Sequence, residues 1–186
     1  MLVPTGFRLT ERSRVIGHGD AFYESARDQL FSWQVQRGSR FEFVDVPPRV
    51  ELGAVSVFRI PFGPLRPRVI CRVFEVRDSA TRAGFSHVAL DGHPQLGWES
   101  YHVERDSAGQ VRLAIRVVWR PGAWWMHAAG PLASVAVALV LRRNLAALAS
   151  LPRPAPRAPR EKHSETREAV ATGSLVSKRF SREHGR

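Results

Sequence analysis

Cysteine and lysine are scarce in this chain of 186 residues. Cys71 is the only cysteine, which excludes a disulfide within the chain and a zinc site made of several cysteines. Both lysines, Lys162 and Lys178, lie near the C-terminus. The positive charge of all the preceding residues therefore comes from arginine.

An apolar N-terminal run is also missing. The first residues, "MLVPTGFRLTERSR", contain no stretch that is long and apolar enough for a signal peptide. We therefore expect a cytoplasmic protein. The length of the chain and its hydrophobic fraction of 44% suit one domain with a real core.

Two common catalytic motifs are absent. The sequence has no Gly-x-Ser-x-Gly element, which a serine nucleophile of the α/β-hydrolase type would need. The stretch "GHGD", residues 17–20, lacks both the glycine spacing and the lysine of a phosphate-binding loop. Cys71 lies in the middle of a predicted strand, where a free cysteine usually packs as a small hydrophobic residue. These observations disfavour nucleophilic catalysis and nucleotide binding.

The charge divides the chain into two parts. The formal net charge is +11. Residues 1–151 carry 19 basic and 13 acidic side chains, whereas residues 152–186 carry 9 and 4. The second part opens with "PRPAPRAPR" and stays polar, a composition typical of extended, solvated chain. We predict one folded domain, residues 1–151, and a disordered basic tail, residues 152–186, that binds nucleic acid or anionic membrane weakly and without sequence preference.

A first helix is predicted at "GDAFYESARDQLFSW". Asp20 is a candidate N-cap residue, because its carboxylate can accept hydrogen bonds from the first exposed amides. Gly38 follows where a chain that leaves a helix often needs a permissive residue. Apolar side chains recur near the helical period and form one face: Phe22, Ala26, Leu30 and Trp33.

Residues 41–120 are predicted to form strands. The clearest signal is "VRLAIRVVWR", residues 111–120, in which apolar residues alternate with Arg112, Arg116 and Arg120. Such alternation is typical of an antiparallel sheet with one buried face. The side chains predicted to face the core are Val111, Leu113, Ile115, Val117 and Trp119.

The last predicted element is a long helix from Pro131 to about Ala149, preceded by one or two helical turns in "GAWWMHAA". The apolar run from Ala123 to Leu141 approaches the length of a membrane span. His127 and the Gly130-Pro131 pair interrupt it, and many of its residues are alanine. A helix packed on the sheet fits this pattern better, so no transmembrane segment is expected.

One helix, an antiparallel sheet and a long C-terminal helix define an α+β protein. This order resembles the helix-grip fold of START and Bet v 1-like domains, in which a curved antiparallel sheet packs on a C-terminal helix and apolar ligands lie between them. Three blocks, "GHGDAFYESARDQLFSW", "GFSHVALDGHPQLGWESYHVE" and "RPGAWWMHAAGPLASVAVALVLRRNLAAL", resemble the family named Domain of Unknown Function nineteen-ninety. The most specific element of this resemblance comprises Gly92, His93, Pro94, Gly97 and Glu99. The resemblance implies a fold, and no established activity comes with it.

The stretch from residue 84 to residue 104 holds the candidate catalytic residues. His93 and Glu99 are candidates for acid–base work, since histidine titrates near neutrality and a carboxylate can orient it. The alternative is that His93 belongs to a turn and Glu99 pairs with an arginine. His18 is a further candidate, or a turn residue before the first helix. His87 and His102 extend the set, but its spacing matches no compact metal motif, so neither a metal nor a cofactor is predicted.

The geometry of this stretch can be predicted in part. Gly92, His93 and Pro94 should form a turn between strands, because Pro94 disfavours helix at His93 and Gly92 tolerates positive φ. Trp98 and Glu99 are neighbours on the returning strand, so they should face opposite sides of the sheet.

A cavity between the sheet and the last helix is the candidate binding site. The alternative is that the same apolar side chains fill the core. The predicted lining residues are Trp33, Phe74, Trp119, Trp124, Trp125, Leu132, Val135 and Leu139. We therefore predict a domain that binds a hydrophobic or amphipathic small molecule. One alternative is a small enzyme that uses the same cavity with His93 and Glu99; another is an interaction module that acts through the basic tail.

Overall fold

The fold is seen in a computed structural model that describes residues 3–62 and 64–149. The predicted disordered tail, residues 152–186, lies outside the described residues. The strands are β1 (Arg8–His18), β2 (Glu42–Asp45), β3 (Val55–Arg59), β4 (Arg68–Asp78), β5 (Arg82–Ala89), β6 (Gln95–Arg105) and β7 (Gln110–Pro121). The helices are α1 (Asp20–Phe31), α2 (Gln34–Gly38), α3 (Trp124–Ala129) and α4 (Pro131–Ala149).

All seven strands form one antiparallel sheet in the order β1-β7-β6-β5-β4-β3-β2. Irregular register, which bends a strand and increases its twist, occurs in β1 between Val15 and Gly17 and in β4 between Val73 and Glu75. The helices contribute Leu30, Val137 and Leu148 to a single core with one face of the sheet. The predicted α+β class, with an antiparallel sheet packed on a long C-terminal helix in the helix-grip arrangement, is confirmed.

Strand β7 has the predicted alternation. The five residues predicted to face the core, at alternate positions from Val111 to Trp119, are buried in it, whereas Arg112 and Arg120 are exposed. A turn at residues 106–109 joins β6 to β7, and Gly109 there has a φ of 82°. The alternation of apolar and polar residues was therefore sufficient to predict which face of this strand is buried.

Shortening a buried side chain of β7 tests this assignment of faces. We expect Leu113→Ala or Ile115→Ala to lower the free energy of unfolding by about 2–5 kcal/mol, because each leaves a cavity in the core. Arg112→Ala, on the exposed face of the same strand, should change it by less than about 0.5 kcal/mol. Urea denaturation of the three variants measures the difference; equal stabilities would contradict the assignment.

Strand β1 was not predicted. It is an edge strand that pairs with β7, and most of its side chains are exposed. Arg8 and Arg12 lie opposite Trp119 and Ile115 in the register, so arginines share the inner face with core residues. The Arg8 guanidinium lies 5.3 Å from the centre of the Trp119 ring. A strand that is polar on both faces lacks the alternation from which strands are predicted.

The first helical region differs from the prediction in two details. Asp20 is the first residue of α1 and does not cap it; Gly19 occupies the cap position, and the Asp20 carboxylate pairs with Arg105. Trp33, in the left-handed region with a φ of 61°, separates α1 from α2. Gly38 is the last residue of α2, and an added Cβ would lie 2.7 Å from the Cβ of Ala147. The glycine is therefore needed for close packing of α2 on α4.

Helix α4 begins at Pro131, as predicted, and packs one face on the sheet. The buried face includes Ala133, Val137, Leu141, Asn144 and Leu148, a spacing of three to four residues that matches the helical period. Over Pro131–Leu148 the helix is long and apolar enough to cross a membrane by length and composition, and 33% of this stretch is buried within the protein. Its packing against the sheet follows the prediction.

Candidate ligand-binding cavity

A cavity of about 730 Å³ lies between the inner face of the sheet and α4. Its walls are mainly apolar. The aromatic lining residues are Phe41, Phe58, Phe62, Tyr101 and Trp125. Helix α4 contributes Leu132, Ala133, Ala136, Val137, Val140 and Leu141. Small alanine side chains on α4 leave the space that larger residues would fill.

One patch of the wall is polar and centres on Glu99 of β6. Glu99 lies opposite His87 of β5 in the register, so both side chains point to the same face of the sheet. Glu99 Oε2 accepts a hydrogen bond from the Tyr101 hydroxyl at 2.6 Å and lies 3.4 Å from His87 Nε2. Because a carboxylate can only accept, the His87 proton in this contact belongs to Nε2.

The polar patch continues through the helices. Asn144 Nδ2 of α4 donates to the Tyr101 hydroxyl oxygen at 3.2 Å, and the Ser39 hydroxyl donates to Asn144 Oδ1 at 2.6 Å. Ser39 and Asn144 are both buried. A chain of hydrogen bonds therefore connects the end of α2, α4 and the sheet across one end of the cavity.

Gln36 of α2 completes this patch. Its side chain is buried, lines the cavity, and makes no hydrogen bond of ordinary geometry through Nε2 or Oε1 within the described residues. The Gln36 side chain lies close to the Tyr101 hydroxyl. This contact lowers the pKa of the hydroxyl and so opposes the rise that burial causes. Buried amides without hydrogen-bond partners are uncommon, because each unsatisfied buried group costs about 1–3 kcal/mol of stability.

The protonation states follow from burial and hydrogen bonding. Burial alone would raise the pKa of Glu99, but the contacts with His87 and Tyr101 outweigh it, and the pKa lies below the ordinary value. Burial, together with the charge of Glu99, raises the pKa of Tyr101 well above its usual range. Burial lowers the pKa of His93 to about 4, although Glu99 acts in the opposite direction. At neutral pH Glu99 is therefore ionised, whereas Tyr101 and His93 are neutral.

Gly92, His93 and Pro94 form the predicted turn between β5 and β6. Gly92 has a φ of 85°, and the His93 amide donates to the Leu90 carbonyl at 3.0 Å. His93 Nδ1 accepts a hydrogen bond from the Gln95 amide at 2.9 Å, which leaves the ring proton on Nε2. The ring lines the cavity, but Glu99 takes its direct hydrogen bonds from His87 and Tyr101. The prediction that Glu99 pairs with His93 is therefore wrong, because the histidine in direct contact with Glu99 is His87.

Trp98 and Glu99 face opposite sides of the sheet, as predicted. Trp98 lies on the outer face, where its ring centre is 6.3 Å from that of Phe7, whereas Glu99 faces the cavity. The alternative in which Glu99 pairs with an arginine at the surface is not what the structure shows. Alternation along β6 therefore carries the carboxylate inward.

The glycine of β6 that follows the turn has a steric role. Gly97 has a φ of 132°, and an added Cβ would lie 1.9 Å from the Val118 carbonyl oxygen of the neighbouring strand. The residue therefore lets β6 approach β7 directly beside the polar patch.

Replacing Gly92 and Gly97 by alanine should distinguish the effect of backbone strain from that of steric clash. Gly92 also has a positive φ, but its added Cβ would meet nothing closer than Ile70 Cδ1 at 3.5 Å. We expect Gly92→Ala to destabilise the protein by about 1–2 kcal/mol and Gly97→Ala by about 3 kcal/mol or more. Thermal unfolding measures both. If Gly97→Ala were the milder change, the steric account would be wrong.

The other candidate polar residues do not join this site. His18 is exposed at the end of β1, where Nε2 lies 2.8 Å from the Ala108 carbonyl oxygen at the β6–β7 turn, the opposite end of β6 from His93. His102 lies on the outer face of the sheet, beside Ser86 and Glu104. Within residues 3–62 and 64–149, no three His, Cys, Asp or Glu side chains are arranged to hold a metal ion.

The predicted lining set is largely corrected. Of the eight residues predicted to line the cavity, only Trp125 and Leu132 do so. Trp33 is wholly buried in the core, with ring centres 5.6 Å from Phe58 and 5.3 Å from Phe85. Trp119 is also buried in the core, and Phe74 lies at the irregularity in β4 and faces the outer side of the sheet.

The remaining three predicted residues lie on the surface. Trp124 is 80% exposed, and Val135 and Leu139 are about half exposed on the outer side of α4. Because nearly every position of α4 is apolar, its sequence has no polar face that marks the outside. The face that lines the cavity therefore could not be chosen from periodicity alone.

Gln36, Tyr101 and Asn144 are the site residues that the sequence did not single out. Tyr101 had a usable signal, since it lies two residues after Glu99 and must share its face of the strand. Gln36 and Asn144 are lone polar residues on helices and have no local pattern that distinguishes them from surface positions.

Comparison with solved structures shows the same fold in distant proteins. A hypothetical protein of Helicobacter pylori matches with a TM-score of 0.59 and 11% identity, covering 80% of this chain and 88% of that one. The Zhui aromatase/cyclase of Streptomyces matches with a TM-score of 0.52 and 15% identity, covering 77% and 92%. Norcoclaurine synthase of Thalictrum flavum matches with a TM-score of 0.53 and 9% identity, covering 80% and 97%. At such identities the likeness establishes the fold alone.

Sequence comparison gives the family. No curated protein matches the chain. A family model matches residues 1–147, nearly all of the part that the structure describes. The chain therefore belongs to the family described as Domain of unknown function (DUF1990).

Proposed function

We propose that this protein binds a hydrophobic or amphipathic small molecule in the cavity between the sheet and α4. The observation that carries the proposal is a space of about 730 Å³ whose wall is mainly apolar and includes one buried polar patch. Small-molecule sites usually measure about 300–1,000 Å³ and combine such a wall with a few polar groups that orient the ligand. We include a cytoplasmic location in this proposal.

The buried polar patch supports binding over a simple packing role for these residues. Glu99, Tyr101 and Asn144 hold one another in fixed positions through hydrogen bonds. A charged carboxylate beside an apolar cavity costs free energy unless it has partners, and here the partners hold it at the wall. Such an arrangement presents a fixed acceptor to a molecule inside the cavity.

An enzyme acting through Glu99 is the second candidate. The favouring observation is that Glu99, His87, His93 and Tyr101 line one cavity. Two proteins of the same fold are also named as enzymes, an aromatase/cyclase and a synthase. A general acid or base works best with a pKa near the working pH. The pKa values of Glu99 and His93 lie below their ordinary values and that of Tyr101 lies above, so these three groups suit hydrogen bonding better than proton transfer.

Titration with Nile red, an uncharged apolar dye, tests the binding proposal. We expect its fluorescence to rise and shift to shorter wavelength on addition of protein, with saturation at one dye per chain. Unchanged emission at protein concentrations above 100 µM would contradict a binding cavity of this kind, since even a modest apolar site of this size should bind in the micromolar range, about 10⁻⁵ M.

A bound compound, once recovered, separates binding from catalysis. It is incubated with the wild-type protein and with Glu99→Gln, and then analysed by mass spectrometry. Conversion by the wild-type protein alone supports the enzyme, whereas an unchanged compound supports binding.

A further inference from the structure

The charges around the cavity are unevenly placed. Histidines aside, the described lining residues include one acidic side chain, Glu99, and one basic side chain, Arg66. Arg66 is half exposed, and its guanidinium pairs with the Glu42 carboxylate at 2.7 Å. Its charge is therefore largely compensated near the surface, whereas Glu99 lies on the inner wall. A ligand at the polar patch meets a negative charge without a free positive one.

Glu99 keeps one oxygen for a ligand. Oε2 is occupied by the Tyr101 hydroxyl and faces His87 Nε2. Oε1 accepts no hydrogen bond from any other side chain in the described part of the protein, and the Glu99 side chain is 29% exposed. An ionised oxygen of this kind accepts strongly from an uncharged hydroxyl, because hydrogen bonds to charged groups are about twice as strong as neutral ones.

Gln36 provides a second, independent observation. Its residue is 0% exposed, and neither its amide nitrogen nor its amide oxygen makes a hydrogen bond of ordinary geometry among the described residues, although the side chain lies close to the Tyr101 hydroxyl. It lines the cavity together with Tyr101 and Asn144, and it lies beside Tyr101. A buried amide offers one acceptor and two donors, which suits a group that both donates and accepts. A hydroxyl does both.

The same geometry acts against acidic ligands. A carboxylate that entered the polar end would place a second negative charge near Glu99 in a poorly solvated wall. Like charges in such a site repel strongly, and one of them must be protonated before both can stay. The hydrogen bonds from Tyr101 and His87 stabilise the charged form of Glu99 and oppose that protonation.

We propose that the ligand is an uncharged, largely apolar compound with an alcohol or phenol group that donates to Glu99 and pairs with the Gln36 amide. Glu99 disfavours fatty acids and other apolar carboxylates. This inference rests on the proposed function, since it names the class of molecule that occupies the same cavity.

Two fluorescent probes with the same ring system test the proposal. 1-Pyrenemethanol carries an uncharged hydroxyl, and 1-pyrenecarboxylate carries an anion at pH 7.5. We expect the alcohol to bind the full chain more tightly by roughly 10- to 100-fold, the range that a hydrogen bond to a charged group gives. Equal affinities, or tighter binding of the carboxylate, would overturn the inference while leaving the cavity proposal intact.

Variants show whether Glu99 sets this preference. Glu99→Gln keeps the shape of the side chain and removes the charge, so the preference should fall by about tenfold or more. The cost of moving a carboxylate into an apolar cavity should remain. Glu104→Gln removes a carboxylate from the outer face of the same strand, where it pairs with Arg82 at 3.2 Å, and should keep the preference. A preference as large in Glu99→Gln as in the wild-type protein overturns the assignment to Glu99. If neither pyrene probe nor Nile red binds the wild-type protein, the proposed function itself fails.

Discussion

Two tryptophans placed on the inner side of α4 should weaken Nile red binding by about 70-fold. Ala136 and Val140 lie one helical turn apart and both line the cavity. The double variant Ala136→Trp/Val140→Trp places two indole rings in the space that the dye needs. Losing roughly 100 Å² of apolar contact costs about 2.5 kcal/mol, which corresponds to that change in the dissociation constant.

The control for this variant lies on the other side of the same helix. Val135 and Leu139 have the same spacing but are about half exposed, and neither lines the cavity. Val135→Trp/Leu139→Trp should therefore bind the dye within about threefold of the wild-type affinity. Circular dichroism and thermal unfolding establish that both variants are folded. Equal loss of binding in the two would place the dye on the surface of α4.

Acidification should destabilise the protein well above the pH at which carboxylates titrate. Burial lowers the pKa of His93 from 6.5 to about 4, so between these values the unfolded chain takes up a proton that the folded protein does not. The stabilisation is fully present above pH 6.5 and is lost as the pH falls toward 4. Since each pKa unit is worth about 1.4 kcal/mol, His93 contributes up to about 3 kcal/mol. Burial also lowers the pKa of His102, which acts in the same direction.

Urea denaturation at pH 7.5, 6.0 and 5.0 measures this dependence. We expect the free energy of unfolding of the wild-type protein to fall with each step by up to about 1–2 kcal/mol. His93→Gln should flatten the dependence, and His93→Gln/His102→Gln should flatten it further, because glutamine does not titrate. A wild-type stability that is constant over this range would show that His93 is solvated in the folded protein.

The elements with a clean period were predictable, and those without one were not. Strand β7 follows from its alternation, because one buried face dictates a regular pattern, and the start of helix α4 follows from Pro131. Strand β1 escaped prediction because arginines occupy the face that it shares with Trp119. Strand β5 was implied by the predicted turn at Gly92-His93-Pro94, but no period marked it, since "AGFSHVA" is buried along most of its length and does not alternate.

The candidate site was predictable only along one strand. The turn at Gly92-His93-Pro94 and the inward direction of Glu99 follow from proline geometry and from the period of two residues. That His87, rather than His93, contacts Glu99 depends on the register between β5 and β6. A single sequence does not specify this register when the turn has an irregular length.

The wall of the cavity was the least predictable feature. Large aromatic residues such as Trp33 and Trp119 were natural candidates for a binding site, but large residues also fill cores, and both are buried there. The space itself exists where side chains are small, as at Ala133 and Ala136. A sequence pattern shows which positions are apolar, whereas the location of a cavity depends on how the whole helix packs over the sheet.

Native mass spectrometry of the freshly purified full-length protein tests the central claim most directly. The chain has a mass of 20.9 kDa, so a retained small molecule gives a resolved second species. We predict one non-covalent adduct per chain, acquired during expression or from a mixture of uncharged apolar alcohols and phenols, and absent from Ala136→Trp/Val140→Trp. A wild-type protein that stays at the mass of the bare chain in every such mixture would contradict the account.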